Sequence, residues 1–162
     1  MKRAFNKIRN EKLIIIGLII LLAEVFIVAF IPMIMKLDPY SVDNINFGTA
    51  PGVGGHILGT DSIGRDVMAR LIYGGRVSIF VGFFSTIVSH VIGVPLGLYA
   101  GYYGGITESI IMRITDIFMA FPGVILALVA VALVGPSVWS VSIIIGIMGF
   151  TGFTRLTYSR VL

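Results

Sequence analysis

The 162-residue chain is 57% hydrophobic and only 12% charged, with a mean hydropathy of +1.01. Soluble domains carry about a quarter charged residues, so too little polar surface remains here to cover a globule, and an ordinary soluble fold is excluded. The absence of cysteine excludes disulfides, thiol catalysis and cysteine-held metals, and the net charge of +4 is gathered at the N-terminus rather than in a nucleic-acid-binding stripe.

Five basic residues, Lys2, Arg3, Lys7, Arg9 and Lys12, precede the first apolar run. Such a bias retains a terminus in the cytoplasm, so residues 1–12 read as a cytoplasmic basic tail. Residues 13–31 form the first expected transmembrane helix; nineteen residues rise about 28 Å, close to the hydrocarbon thickness. Glu24 lies inside it at an insertion cost of about 3 kcal/mol, which fifteen Leu, Ile, Val and Phe side chains at about 0.3–0.6 kcal/mol each outweigh. The apolar core is too long for a cleaved signal peptide and no small-x-small site follows it, so the segment reads as a signal anchor.

Residues 32–76 read as a polar extracytoplasmic loop, interrupted by Pro32, Pro39 and Pro51 as helix breakers and by a turn at residues 49–55. Its four basic and four acidic residues cancel, against the strongly basic tail, which places the loop outside. Within it, residues 61–73 have the spacing of a short amphipathic helix. A second span is expected over residues 77–101, with Gly93, Gly97 and Gly101 on one face for close helix packing and Pro95 as a kink. A turn at residues 102–105 and an amphipathic lead-in at 106–116 precede a third span at 117–134, bent by Pro122-Gly123 near its start. The fourth span covers residues 138–153, and Arg155 and Arg160 return the end of the chain to the cytoplasmic side. The fold class is an all-α multi-pass membrane protein of about four helices with both ends cytoplasmic.

The block Gly59-Thr-Asp-Ser-Ile-Gly-Arg-Asp66 lacks the Gly-Lys-Ser/Thr ending of a phosphate loop, which argues against nucleotide binding. Thr60 or Asp61 can cap the helix that follows, and Arg65 and Asp66 can pair with each other or with neighbouring chains. Glu24 and His90 are ionisable groups inside spans. They read either as polar contacts within a helix bundle or as a proton relay of a secondary carrier. Arg113 and Asp116, three apart, can pair locally. His56 and His90 lack metal-ligand spacing, Ser62, Ser78 and Ser89 lack a base, and the sequence points to no catalytic residue, metal or cofactor.

Four segments together carry a resemblance. They are His56-Ile-Leu-Gly-Thr-Asp-Ser-Ile-Gly-Arg-Asp-Val-Met-Ala-Arg-Leu-Ile-Tyr-Gly-Gly-Arg-Val-Ser78, Ile92-Gly-Val-Pro-Leu-Gly-Leu-Tyr-Ala-Gly-Tyr-Tyr-Gly-Gly105, Met112-Arg-Ile-Thr-Asp-Ile-Phe-Met-Ala-Phe-Pro122 and Gly152-Phe-Thr-Arg-Leu-Thr-Tyr-Ser-Arg-Val-Leu162. The chain resembles the second membrane subunit of dipeptide and oligopeptide ABC importers, whose relatives also carry nickel. The resemblance implies a type I importer permease fold, with residues 77–162 as the N-terminal part of its transmembrane domain. It also implies a homologous permease subunit, two cytoplasmic ATPase subunits and an extracytoplasmic solute-binding protein as partners. Gly59, Thr60, Asp61, Gly64, Arg65 and Asp66 are its signature, in packing or gating, and the substrate-contacting residues stay unassigned. Family members continue into a cytoplasmic loop with a Glu-Ala-Ala…Gly pattern that contacts the ATPase. The sequence stops at Leu162 before it, so the expectation is a fragment that does not couple ATP hydrolysis by itself.

Overall fold

The computed structural model describes residues 12–162. Among these residues the chain folds into five α-helices: α1 (Lys12–Met35), α2 (Val67–Tyr103), α3 (Gly105–Ala120), α4 (Gly123–Val134) and α5 (Val138–Val161). A short 3-10 turn, Val53–Gly55, and two isolated antiparallel bridges, Val42 with Arg65 and Thr60 with Asp66, interrupt the connection between α1 and α2. Lys2, Arg3, Lys7 and Arg9 of the expected basic tail lie outside the described residues. Two compact units divide the chain, one ending at Ser78 and the other beginning at Ile79.

In the first unit, α1 runs four residues past the expected end of its span, with Pro32 inside the helix rather than stopping it. Proline removes the N–H that would bond the carbonyl four residues back, here that of Val28. Arg76 replaces the missing donor, its Nε donating to the Val28 carbonyl and its Nη2 to that of Ala29 at 2.7 Å. The approach is close because residue 75 is glycine: a Cβ there would stand 2.8 Å from Val28 Cγ1. A guanidinium that satisfies two carbonyls thus lets the helix continue to Met35. The other faces of α1 are largely exposed apolar surface, as suits a helix that meets lipid.

The amphipathic segment expected at residues 61–73 is the beginning of α2, which starts only at Val67 and continues unbroken through Gly74-Gly75 and Pro95 to Tyr103. Glycine weakens a helix by about 1 kcal/mol but leaves its N–H in the ladder, so the pair does not force a boundary. The last ten residues of the segment expected as loop are therefore helical.

In the second unit, α3 and α4 meet at an 87° bend at Phe121-Pro122. The twelve residues of α4 rise about 18 Å, too short to cross about 30 Å of hydrocarbon by themselves, so the segment expected as a third span is not one straight helix. With α1, α2 and α5 there are three helices long and apolar enough to cross a membrane, or four with the bent pair as one, among the described residues. Helix α5 extends to Val161, past the expected end at residue 153. Arg160, in the last turn, interacts favourably with the helix dipole there. Thr115, Ser142 and Thr154 are fully buried, and each hydroxyl donates to the carbonyl four residues back, at 2.7–2.9 Å. Small self-satisfied side chains of this kind permit close helix contact without leaving an unpaired polar group.

Candidate functional site

The signature block folds into a knot tied to residues 42–49. The Thr60 hydroxyl donates to the Asn46 carbonyl at 2.7 Å and accepts the Thr49 backbone N–H at 3.1 Å. Backbone bonds join Asp43 N–H to the Gly64 carbonyl at 2.8 Å and Gly48 N–H to that of Asp61 at 2.9 Å. Glycine is required at two positions for two reasons at once. Gly59 and Gly64 adopt φ of +76° and +81°, and a Cβ at either would stand 2.2 Å from the Thr49 carbonyl oxygen or 2.3 Å from that of Asp43.

The carboxylates of the knot divide the work. Asp61 accepts the backbone N–H groups of Arg65 and Ile63, and its Oδ2 lies 2.8 Å from Arg65 Nε and 2.6 Å from Arg70 Nη1. Asp66, not Thr60 or Asp61, caps α2: its Oδ1 accepts the Ala69 N–H at 2.8 Å, the reach of an N-cap to the third helical residue. Its Oδ2 lies 2.7 Å from His56 Nδ1, while His56 Nε2 lies 3.3 Å from Asp43 Oδ2. Arg65 and Asp66 therefore do not pair with each other; each turns to an earlier partner in the loop.

These contacts set the charges. The bond from Asp66, then that from Asp43, raises the His56 pKa above its ordinary value. The Asn46 amide, the Ile45 N–H and His56 hold the Asp43 carboxyl well below the usual range. The Arg65 N–H does most to lower that of Asp61, against a smaller opposing effect of burial. For Asp66, burial raises the pKa, but the Ala69 N–H and His56 outweigh it and the net direction is down. Knot stability supplied by the carboxylates is present above about pH 3.9 and is lost as pH falls through the depressed values.

In the second unit, Gly93, Gly97 and Gly101 face α5. A Cβ would stand 2.6 Å from the Phe150 carbonyl oxygen at Gly93, 2.5 Å from that of Thr154 at Gly97, and 2.7 Å from Val161 Cβ at Gly101. Reciprocal glycines lie on α5: Gly146 lies against Val88 and Gly149 against Ser89, whose hydroxyl donates to the Gly146 carbonyl at 2.8 Å. Gly152, on the same helix, faces open space. Asp116 pairs with Arg155 of α5 rather than with Arg113, and the Tyr158 hydroxyl donates to Glu108, so α5 is joined to α3 at two points.

Glu24 is exposed on α1 in the first unit. His90, in the second, donates from Nδ1 to the Thr86 carbonyl at 2.8 Å, and its ring lies tilted by 40° against that of Phe153 with centroids 3.8 Å apart. Among the described residues, no three His, Asp or Glu side chains are placed to hold a metal ion. Between α4 and α5 lies an open groove of about 610 Å³ walled by Val124, Leu128, Val131, Val141, Ile145 and Met148. Its lining carries no charged group that could neutralise the termini of a peptide.

Residues 93–162 match the family of binding-protein-dependent transport system inner membrane components. The chain is 38% identical over 161 residues to the dipeptide transport system permease protein DppC of Alkalihalophilus pseudofirmus, covering 99% of this chain and 53% of that protein. It is 37% identical over 161 residues to the glutathione transport system permease protein GsiD of Pectobacterium atrosepticum, covering 96% and 51%. To the oligopeptide transport system permease protein OppC of Bacillus subtilis it is 33% identical over 161 residues, covering 99% and 52%. The chain spans about half the length of the curated relatives it matches.

Proposed function

The chain belongs to the family of binding-protein-dependent transport system inner membrane components, and on that premise we propose that it forms part of the solute path of an ATP-driven peptide importer. It is a multi-pass membrane protein and a transport component rather than an enzyme. The observation that carries the peptide assignment is similarity over nearly the whole chain, the signature knot included, to permeases named for dipeptides and oligopeptides. A homologous permease subunit, two cytoplasmic ATPase subunits and an extracytoplasmic solute-binding protein complete the importer in this reading. The ATPases hydrolyse ATP, and this chain supplies helices. Both of its ends lie on the cytoplasmic side, as the basic tail argues, and residues 36–66 lie outside.

Within this reading, Gly59, Thr60, Asp61, Gly64, Arg65 and Asp66 hold the outer loop in one shape over the start of α2. Gly93, Gly97 and Gly101 set the distance of α2 from α5. A proton relay has less support, because the His90 imidazole is already engaged by its own helix and by Phe153.

Uptake of a labelled dipeptide tests the proposal, in a host whose own peptide permeases are deleted and which carries the gene containing this sequence with its neighbouring transporter genes. The expected result is uptake that stops when ATP is depleted and persists when the proton gradient is collapsed. Uptake that follows the proton gradient, or uptake of nickel and not dipeptide, overturns it.

A further inference from the structure

His56 is the one side chain of the knot that reaches two carboxylates from opposite edges of a ring, Asp66 at 2.7 Å from Nδ1 and Asp43 at 3.3 Å from Nε2. A neutral imidazole carries one N–H and one lone pair, so it can donate to one carboxylate while its lone pair repels the other. Only the imidazolium donates to both. Among the described residues, Asp43 and Asp66 are the charged groups within ion-pair reach of the ring, whereas Asp61, Arg65 and Arg70 form a cluster of their own. The ring is four-fifths covered, which shields both bonds from competing water.

The two carboxylates are anchored differently. Asp66 is held by the N-terminus of α2 through the Ala69 N–H. Asp43 organises the first leg of the loop, accepting the N–H groups of Ile45 and Asn46 and the Asn46 side-chain amide at 2.8–3.2 Å. The imidazolium thus joins the first leg of the loop to the cap of a membrane helix.

We propose that His56 is a proton-operated staple, closed when the ring is charged and open at the Asp43 end when it is neutral. On deprotonation the proton leaves to water, the remaining N–H stays on the shorter Asp66 contact, and the Nε2 lone pair turns against Asp43. Residues 43–46 then loosen from the cap of α2. The contribution of the staple is fully present below the ordinary imidazole pKa of about 6.5 and is lost as pH rises through the raised one. The inference rests on the loop geometry and not on the transport reading.

Histidine-labelled chain in lipid nanodiscs tests it, by nitrogen-15 NMR from about pH 5.5 to 9.5. The sequence has two histidines, and His90→Gln assigns the signals. The expected result is two protonated ring nitrogens on His56 at about pH 7 and a single titration on the alkaline side of the ordinary imidazole value. Exchange protection of the Ile45 and Asn46 amides, corrected for the intrinsic rate, should fall with it. The fall should be about tenfold per pH unit between the ordinary and the raised pKa, the slope of one linked proton. In His56→Gln that pH dependence should disappear. A single neutral tautomer at about pH 7, or a titration that leaves the two amides unchanged, overturns the staple. Should the variant fail to fold, the wild-type titration alone decides.

Discussion

The polar knot before α2 and the glycine-lined contact between α2 and α5 solve the same problem, holding backbone close to backbone, by opposite means. In the knot, direction does the work. Asp43, Asp61 and Asp66 each accept several donors at set angles, and Gly59 and Gly64 supply backbone shapes that other residues adopt only with strain. Between the helices, absence of volume does the work: Gly93, Gly97, Gly146 and Gly149 leave room for backbone and small side chains, and buried hydroxyls bond back to their own helix or to a facing carbonyl. The first arrangement responds to protons, and the glycine contact, whose tightest approaches are to backbone and to uncharged side-chain atoms, responds to bulk. A soluble-like loop and a lipid-embedded helix pair therefore fail in different ways.

The sharpest way to break the comparison is bulk on the helix side. Gly97→Leu forces a side chain into the Thr154 carbonyl and should cost about 3 kcal/mol, with loss of the α2–α5 contact and an unchanged His56 titration. Unfolding in mixed micelles together with the histidine spectrum checks both halves. Gly59→Ala is the counterpart in the knot: overlap with the Thr49 carbonyl and a strained positive φ should cost about 2 kcal/mol, seen as lost amide protection over residues 42–66 with α5 unaffected. Arg76→Met removes the donors to Val28 and Ala29 and should cost about 1.5 kcal/mol, read as fraying of α1 beyond Pro32, with Arg76→Lys recovering part of it. Asp66→Asn has the smallest expected effect. It keeps an oxygen for the Ala69 N–H, so stability should change by less than about 1 kcal/mol, while the His56 pKa should move down toward its ordinary value. An unmoved titration in that variant would mean that Asp43, at 3.3 Å, governs the ring instead.

Each misplaced boundary has a specific physical cause. Pro32 reads as a breaker because the sequence around it does not reveal that Arg76, forty-four positions later, replaces the missing donor. The expected break between the segment ending at residue 73 and the span beginning at residue 77 is absent, and the contact that Gly75 permits with Val28 is distant in the chain. Asp116 has a local partner at the right spacing in Arg113 and a distant one in Arg155, and spacing favours the wrong one. The bend at Pro122-Gly123, by contrast, is a local effect of proline on its own helix and is legible as such.

The sequence by itself determined the membrane class, the helical content, the glycine face of α2 and the family, because these depend on composition, on a 3.6-residue period and on motifs contiguous along the chain. Only the tertiary structure decided which distant charges meet, that Arg76 completes α1, and that His56 stands between two carboxylates. The physical reason is that a hydrogen bond between residues ten to fifty apart leaves no periodic trace. It exists only once glycines with positive φ have turned the backbone back on itself.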